Sequence, residues 1–134
     1  MDAKDLIKIA KEETTRSYSP YSHFAVGAAL LTKDGKIYLG TNIENAAFGL
    51  SMCAERNAIF NAYVNGVCKE DIVALAICAD TPDFVSPCGS CRQVMSELLP
   101  ADCHIYLGNF KGKIFETNVN ELLPFSFKQE DMSR

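Results

Sequence analysis

At 134 residues the chain, read as one domain over 1–134, is long enough to bury about 70% of the surface its unfolded form exposes. Hydrophobic residues make up 48% and charged residues 22%, and no apolar run approaches the ~20 residues of a bilayer-spanning helix, which argues against a membrane protein. The net charge of −4, with no Lys/Arg cluster along any segment, argues against nucleic acid as a partner but not against a small neutral substrate.

The opening stretch MDAKDLIKIAKEE is too charged for a signal peptide, so a cytoplasmic address is expected. In that compartment the six cysteines, Cys53, Cys68, Cys78, Cys88, Cys91 and Cys103, read as reduced thiols or metal ligands and not as a disulfide framework. Asp2 can cap a first helix with Leu6, Ile7 and Ala10 on one face, ending before Ser19-Pro20 because proline disfavours the helical region for the residue before it. FAVGAALL (24–31), a turn at Lys33-Asp34-Gly35-Lys36 and KIYLG predict a hairpin whose first strand is apolar on both faces and so internal to a sheet.

TNIENAAFGLS reads as a polar loop entering a second helix, in which Ala54, Ala58 and Ala62 recur at four-residue spacing beside Ile59 and Tyr63, and Asn65-Gly66 ends it. DIVALAICAD (71–80) predicts a strand buried on both faces. After TPDFVSP, the segment CGSCRQVMSELL has helical periodicity at Cys91, Val94, Met95 and Leu98 and ends at Pro100. HIYLG and KIFET, joined around Lys111-Gly112, complete the sheet. Asn118 with Glu121 resembles a capping box before a short helix, and the polar tail KQEDMSR is expected to fray. The pattern predicts an α/β fold with a five-stranded mixed sheet flanked by helices, and cysteine stands at the mouth of both central helices.

Cys88 and Cys91, three apart at a helix start, can grip one ion or form one disulfide. A CGSC tetrapeptide suits a dithiol redox enzyme, although Pro87 stands where an aromatic residue is expected. Cys53 favours metal, because it supplies a third thiolate that a disulfide does not need. Three protein ligands leave a tetrahedral zinc ion one open position, where bound water has its pKa lowered to roughly 7. Glu55, two residues beyond Cys53, could then move protons between that water and a substrate. Blander readings exist for each residue. Cys68, Cys78 or Cys103 could close a purely structural zinc site, Glu55 suits a helix N-terminus in its own right, and Arg56 could be a solvated charge. Their coincidence with Pro87-Cys88-Gly89-Ser90-Cys91 in one short chain weighs against all of these.

Cys53-Ala54-Glu55 followed by Pro87-Cys88-Gly89-Ser90-Cys91 resembles the zinc nucleoside and nucleobase deaminase signature. More narrowly, SPYSHFAVGAALL, DGKIYLGTNIENA, CAERNA, SPCGSCRQVMSEL and ELLPFSF resemble the small homotetrameric cytidine deaminases over nearly the whole chain. The resemblance implies a cytidine-deaminase-like three-layer αβα fold, one Zn2+ per chain on Cys53, Cys88 and Cys91, and hydrolysis of cytidine and deoxycytidine to the uridine nucleosides and ammonia in pyrimidine salvage. It implies Glu55 as the catalytic acid and base, the Ala54 N–H on the pyrimidine O2, and the Ser86 carbonyl on the leaving amino group. Asn42 and Glu44 match positions that hold the ribose 3′-hydroxyl, Phe24 an aromatic packed on substrate, and Phe127 an aromatic that reaches a neighbouring subunit's pocket.

Three thiolates would leave the zinc centre at net −1, and Arg56, hydrogen-bonded to ligand sulfur, would offset that charge. Phe48, where the family commonly has tyrosine, and Phe125, where it is usually small, depart from the pattern. His23 and His104 lack ligand spacing and read as a loop and a strand residue. A deaminase acting on a modified nucleoside of the blasticidin type is the nearest alternative, and intact Asn42 and Glu44 weigh against it.

Overall fold

The computed structural model describes residues 1–132. Helix α1 (Ala3–Glu13) begins where the Asp2 carboxylate accepts a hydrogen bond from the Asp5 amide at 2.9 Å, and a single 3-10 turn at Thr14–Arg16 carries the chain off it. Strands β1 (Val26–Thr32) and β2 (Ile37–Thr41) form the hairpin, with Gly35 at φ 83° in the turn, a backbone region open to glycine at no steric cost. Helix α2 (Ala54–Val64), strand β3 (Ile72–Ala79), helix α3 (Gly89–Leu98), strands β4 (His104–Asn109) and β5 (Ile114–Thr117), and the short helix α4 (Val119–Leu122) follow.

The sheet order is β2-β1-β3-β4-β5, with β3 and β4 parallel and the other pairs antiparallel. Strand β1 is internal, as its two-sided apolar pattern requires. On β3, Leu75, Ile77 and Ala79 face the cluster built with α2 and α3, while Ala74, Ala76 and Cys78 face Leu6, Ile7 and Ala10 of α1. The period-two alternation of a strand thus feeds two cores, and the molecule has three layers.

Topology sets where chemistry can sit. Strands β2 and β3 both run antiparallel to β1 and so parallel to each other, with Thr41 and Ala79 ending beside Gly27 and Val26 at the same edge. The chain leaves each strand there and enters α2 or α3, so both helix N-termini open over that edge. Sheets of this kind bind ligands in the crevice outside strand carboxyl ends. Gly40 lets α2 lie close on β2, since a Cβ at that position would overlap the Ala54 carbonyl oxygen and the Ala58 amide.

Three local expectations need adjusting. The loop after β2 is not merely polar. Ile43 bridges Met52 and also Tyr18, and Phe48–Leu50 forms a 3-10 turn, so the loop folds back across the edge. At α4, Asn118 accepts from the Glu121 amide at 2.9 Å, but the Glu121 carboxylate takes its bonds from the side chains of Asn118 and Thr117 and not from a backbone N–H. The tail is not wholly frayed either: Gln129–Met132 make a 3-10 turn in which the Lys128 amide bonds Asp131, while the expectation for residues 133–134 lies outside the described residues. No helix among the described residues is long and apolar enough to cross a membrane.

Candidate active site and metal centre

Cys53 is the N-cap of α2 and Cys88 the N-cap of α3, and neither makes a side-chain cap hydrogen bond. Their sulfurs are 3.7 Å apart, Cys91 Sγ lies 3.2 Å from Cys88 Sγ, and all three sulfurs fall within 4.8 Å of one another. Sulfur donors at about 2.3 Å from a tetrahedral ion lie about 3.8 Å from each other, so the trio fits one metal ion. Among the described residues no histidine, carboxylate or further cysteine joins this group. Cys78 and Cys103 are buried outside this group, and Cys68 is exposed outside it.

The sulfurs are electrostatically tied. The Cys91 thiol donating to Cys53 is the chief influence that holds Cys53 down to about 5, with help from the Arg56 guanidinium and against the opposing effect of burial. Cys91 is pushed up, chiefly by its contact with Cys53 and next by burial. An Arg56 terminal nitrogen donates to Cys53 Sγ at 3.5 Å, while its buried Nε has no protein partner among the described residues. The N-terminal ends of α2 and α3 add positive potential at the same spot.

Glu55, in the first turn of α2, is only 5% exposed. Burial pushes its carboxyl up to about 7, and the neighbouring Cys53 thiolate adds to that effect. A buried carboxyl near neutrality can both accept and donate protons.

One cavity of about 420 Å³ gathers most of the residues singled out from sequence, and it falls within the range of small-molecule sites. Cys53, Ala54, Glu55 and Arg56 line it from the start of α2, Ser86 and Cys88 from the approach to α3, and Phe24, Asn42 and Glu44 from the segments flanking the β1–β2 hairpin. Phe48 stands at its rim, 77% exposed and edge-on to Tyr21. Phe127 is not part of this cavity. It is 60% exposed, and its carbonyl accepts from Gln93 on α3. His23 lies in the loop before β1 with φ 55°, and His104 starts β4, where it meets Glu116 at 2.8 Å.

Asn42 and Glu44 are held by residues the sequence did not single out. The Asn42 carbonyl oxygen accepts from Ser17 at 2.6 Å and from the Val26 amide at 2.9 Å, while its NH2 donates to the Phe24 carbonyl at 2.8 Å. One N–H remains to reach a ligand, so Asn42 can serve there only as a donor. Glu44 accepts from the Tyr21 and Ser22 amides at 3.0 and 3.1 Å and from the Ser22 hydroxyl. The hydroxyl is the leading reason its carboxyl sits below the usual range. Arg92, also not anticipated, donates to Pro87, Leu122 and Ser86. No local pattern marks these three residues, because each acts on a partner in another element.

Comparison with known proteins agrees with the geometry. Residues 1–107 match the model for the cytidine and deoxycytidylate deaminase zinc-binding region. The chain is 56% identical over 133 residues to the cytidine deaminase of Halalkalibacterium halodurans, covering 99% of both. It is 36% identical to the blasticidin-S deaminase of Bacillus cereus over 92% of this chain and 90% of that protein. In structure it superposes on the cytidine deaminase of Burkholderia pseudomallei with a TM-score of 0.92 at 43% identity, over 95% of this chain and all of the other.

Proposed function

The chain belongs to the cytidine and deoxycytidylate deaminase family, and from that premise we propose that it hydrolyses cytidine and deoxycytidine at C4, releasing ammonia and leaving the uridine nucleosides. The observation that carries this reading is the buried carboxyl of Glu55 in the wall of a cavity shared with Cys53 and Cys88. Cys53, Cys88 and Cys91 would hold one zinc ion, supported by their mutual spacing, their soft donors and the zinc-binding family. When bound, that ion supplies Lewis acidity that makes water a usable nucleophile near neutral pH.

Glu55 takes a proton from the attacking water and delivers it to N3 as the new C–O bond forms at C4. It then takes the proton of the new C4 hydroxyl and passes it to the amino group, so the C4–N bond breaks, ammonia leaves and the C4 carbonyl forms. A carboxyl that titrates near 7 suits both halves of that exchange. The Ala54 N–H meets O2, and the Ser86 carbonyl accepts from the amino group. Asn42 donates to the ribose 3′-hydroxyl, Glu44 accepts from it, and Phe24 packs against the nucleoside. Glu44 would also repel a phosphate, which favours the free nucleoside over its nucleotide.

Phe127 belongs in this account to a neighbouring subunit's site within a homotetramer. Its exposure and its absence from its own cavity support that role. Arg56 offsets the charge of the three thiolates, a role supported by its contact with Cys53.

The test is ammonia release from cytidine, deoxycytidine and blasticidin S, with metal content measured on the same samples. Turnover of the two pyrimidine nucleosides and about one zinc per chain is the expected result. Glu55→Gln should keep its zinc and lose about 10²–10⁴-fold in turnover. Equal turnover by the variant would remove Glu55 from the reaction, and turnover of blasticidin S alone would reassign the substrate.

A further inference from the structure

Arg92 is half-buried on the first turns of α3, and its three guanidinium nitrogens go to three separate oxygens. Nε donates to the Pro87 carbonyl at 2.9 Å, one terminal nitrogen to the Ser86 hydroxyl at 2.7 Å, and the other to the Leu122 carbonyl at 2.8 Å. All three acceptors are neutral, so the cation is spent on fixing geometry and not on pairing a charge. A guanidinium is planar and its donors have fixed directions, so the three acceptors are locked relative to one another.

We infer that Arg92 is a positioning residue for the leaving-group side of the site, a step that rests on the cytidine reading above. The Ser86 carbonyl lies between two of the anchored groups, the Ser86 hydroxyl and the Pro87 carbonyl. Its rotation is restrained by the Arg92 bonds on either side of it, and Pro87, with its φ fixed by the ring, narrows the remaining freedom. The third bond ties this edge to Leu122 at the end of α4, and the adjacent Gln93 holds the Phe127 carbonyl at 2.9 Å. Consecutive residues of α3 therefore fix the edge carrying Ser86 and the segment leading to Phe127. The effect falls on the amino group, because a displaced acceptor costs rate only where it is used.

The experiment compares wild type with Arg92→Lys, Arg92→Gln and Ser86→Ala in the full chain. It reads zinc content, thermal midpoint, kcat and KM for cytidine, and the inhibition constant of uridine, which lacks the amino group. Lysine keeps the charge but not the three-way fork. Arg92→Lys and Arg92→Gln should hold their zinc and bind uridine within about twofold of wild type, while kcat/KM for cytidine falls about tenfold or more. Ser86→Ala, which loses one of the three bonds and keeps the carbonyl, should lose less.

Full cytidine activity in Arg92→Lys would overturn the proposal. A parallel loss of cytidine efficiency and uridine affinity would do the same, by showing a general loosening of the fold. Should both Arg92 variants fail to fold, Ser86→Ala decides, and unchanged activity there refutes the proposal. A wild-type protein inert towards cytidine would instead refute the functional reading itself.

Discussion

Cys53, Glu55 and Arg56 illustrate how much a single helical turn can disclose. Their spacing alone places a thiol, a carboxyl and a guanidinium at one helix mouth, and the structure keeps Arg56 within 3.5 Å of Cys53 Sγ. Arg56→Gln should therefore reduce turnover by roughly tenfold while zinc content changes less, since all three proposed sulfur ligands remain. Metal loss with unchanged activity per remaining zinc would refute charge compensation. Glu44 sets a separate expectation for pH. Its folded pKa is depressed, chiefly by the Ser22 hydroxyl, so its support of the 17–24 loop is fully present above the unfolded value of about 4.3 and is lost as pH falls through the folded one. Thermal midpoints measured from pH 6 down to pH 3 should fall less steeply in Glu44→Gln than in wild type. Ser17, Ser22 and Arg92 were not legible at this scale, because a serine or arginine in a loop or helix looks the same whether its partner is water or a distant carbonyl.

The secondary elements were largely readable from periodicity and their stop signals. Strand β3 announced burial on both faces, and Asp2 and Asn118 announced helix starts. The separation between elements was not readable. Gly40 looks like an ordinary strand glycine, yet α2 lies so close that an added Cβ would meet the Ala54 carbonyl oxygen and lie 3.0 Å from Ala58 Cα. Backbone atoms cannot yield as a side-chain tip can, so Gly40→Ala should cost about 1–3 kcal/mol by overpacking. Because α2 carries Cys53 and Glu55, activity should fall further than the thermal midpoint implies, and a variant as stable and active as wild type would disprove this tight seating. The loop after β2 has a polar sequence, and its bridges from Ile43 to Met52 and Tyr18 leave no mark in it because isolated pairings have no period.

At the level of the whole molecule, apolar side chains remain uncovered. Phe125, at φ 56°, is 105% exposed, and Phe127 is 60% exposed just beyond it. In the proposed homotetramer the Phe127 of each subunit serves a neighbour's site. Phe127→Ala should then lower kcat/KM without loss of zinc. Mixing Phe127→Ala subunits with Glu55→Gln subunits should restore activity that neither has alone, since some sites would combine an intact Glu55 with an intact Phe127. No recovery after verified subunit exchange would place Phe127 outside the neighbouring site. The sequence by itself determined the elements, the three sulfurs and the carboxyl, because helix mouths and short spacings are local and the side-chain chemistry is fixed by residue type. Tertiary structure alone decided that β2 and β3 end at one edge, that Cys53 comes to 3.7 Å from Cys88, and that serines and an arginine from other elements hold the site walls. Those outcomes depend on strand order and on close packing between segments far apart in the chain, which no local pattern of residues encodes.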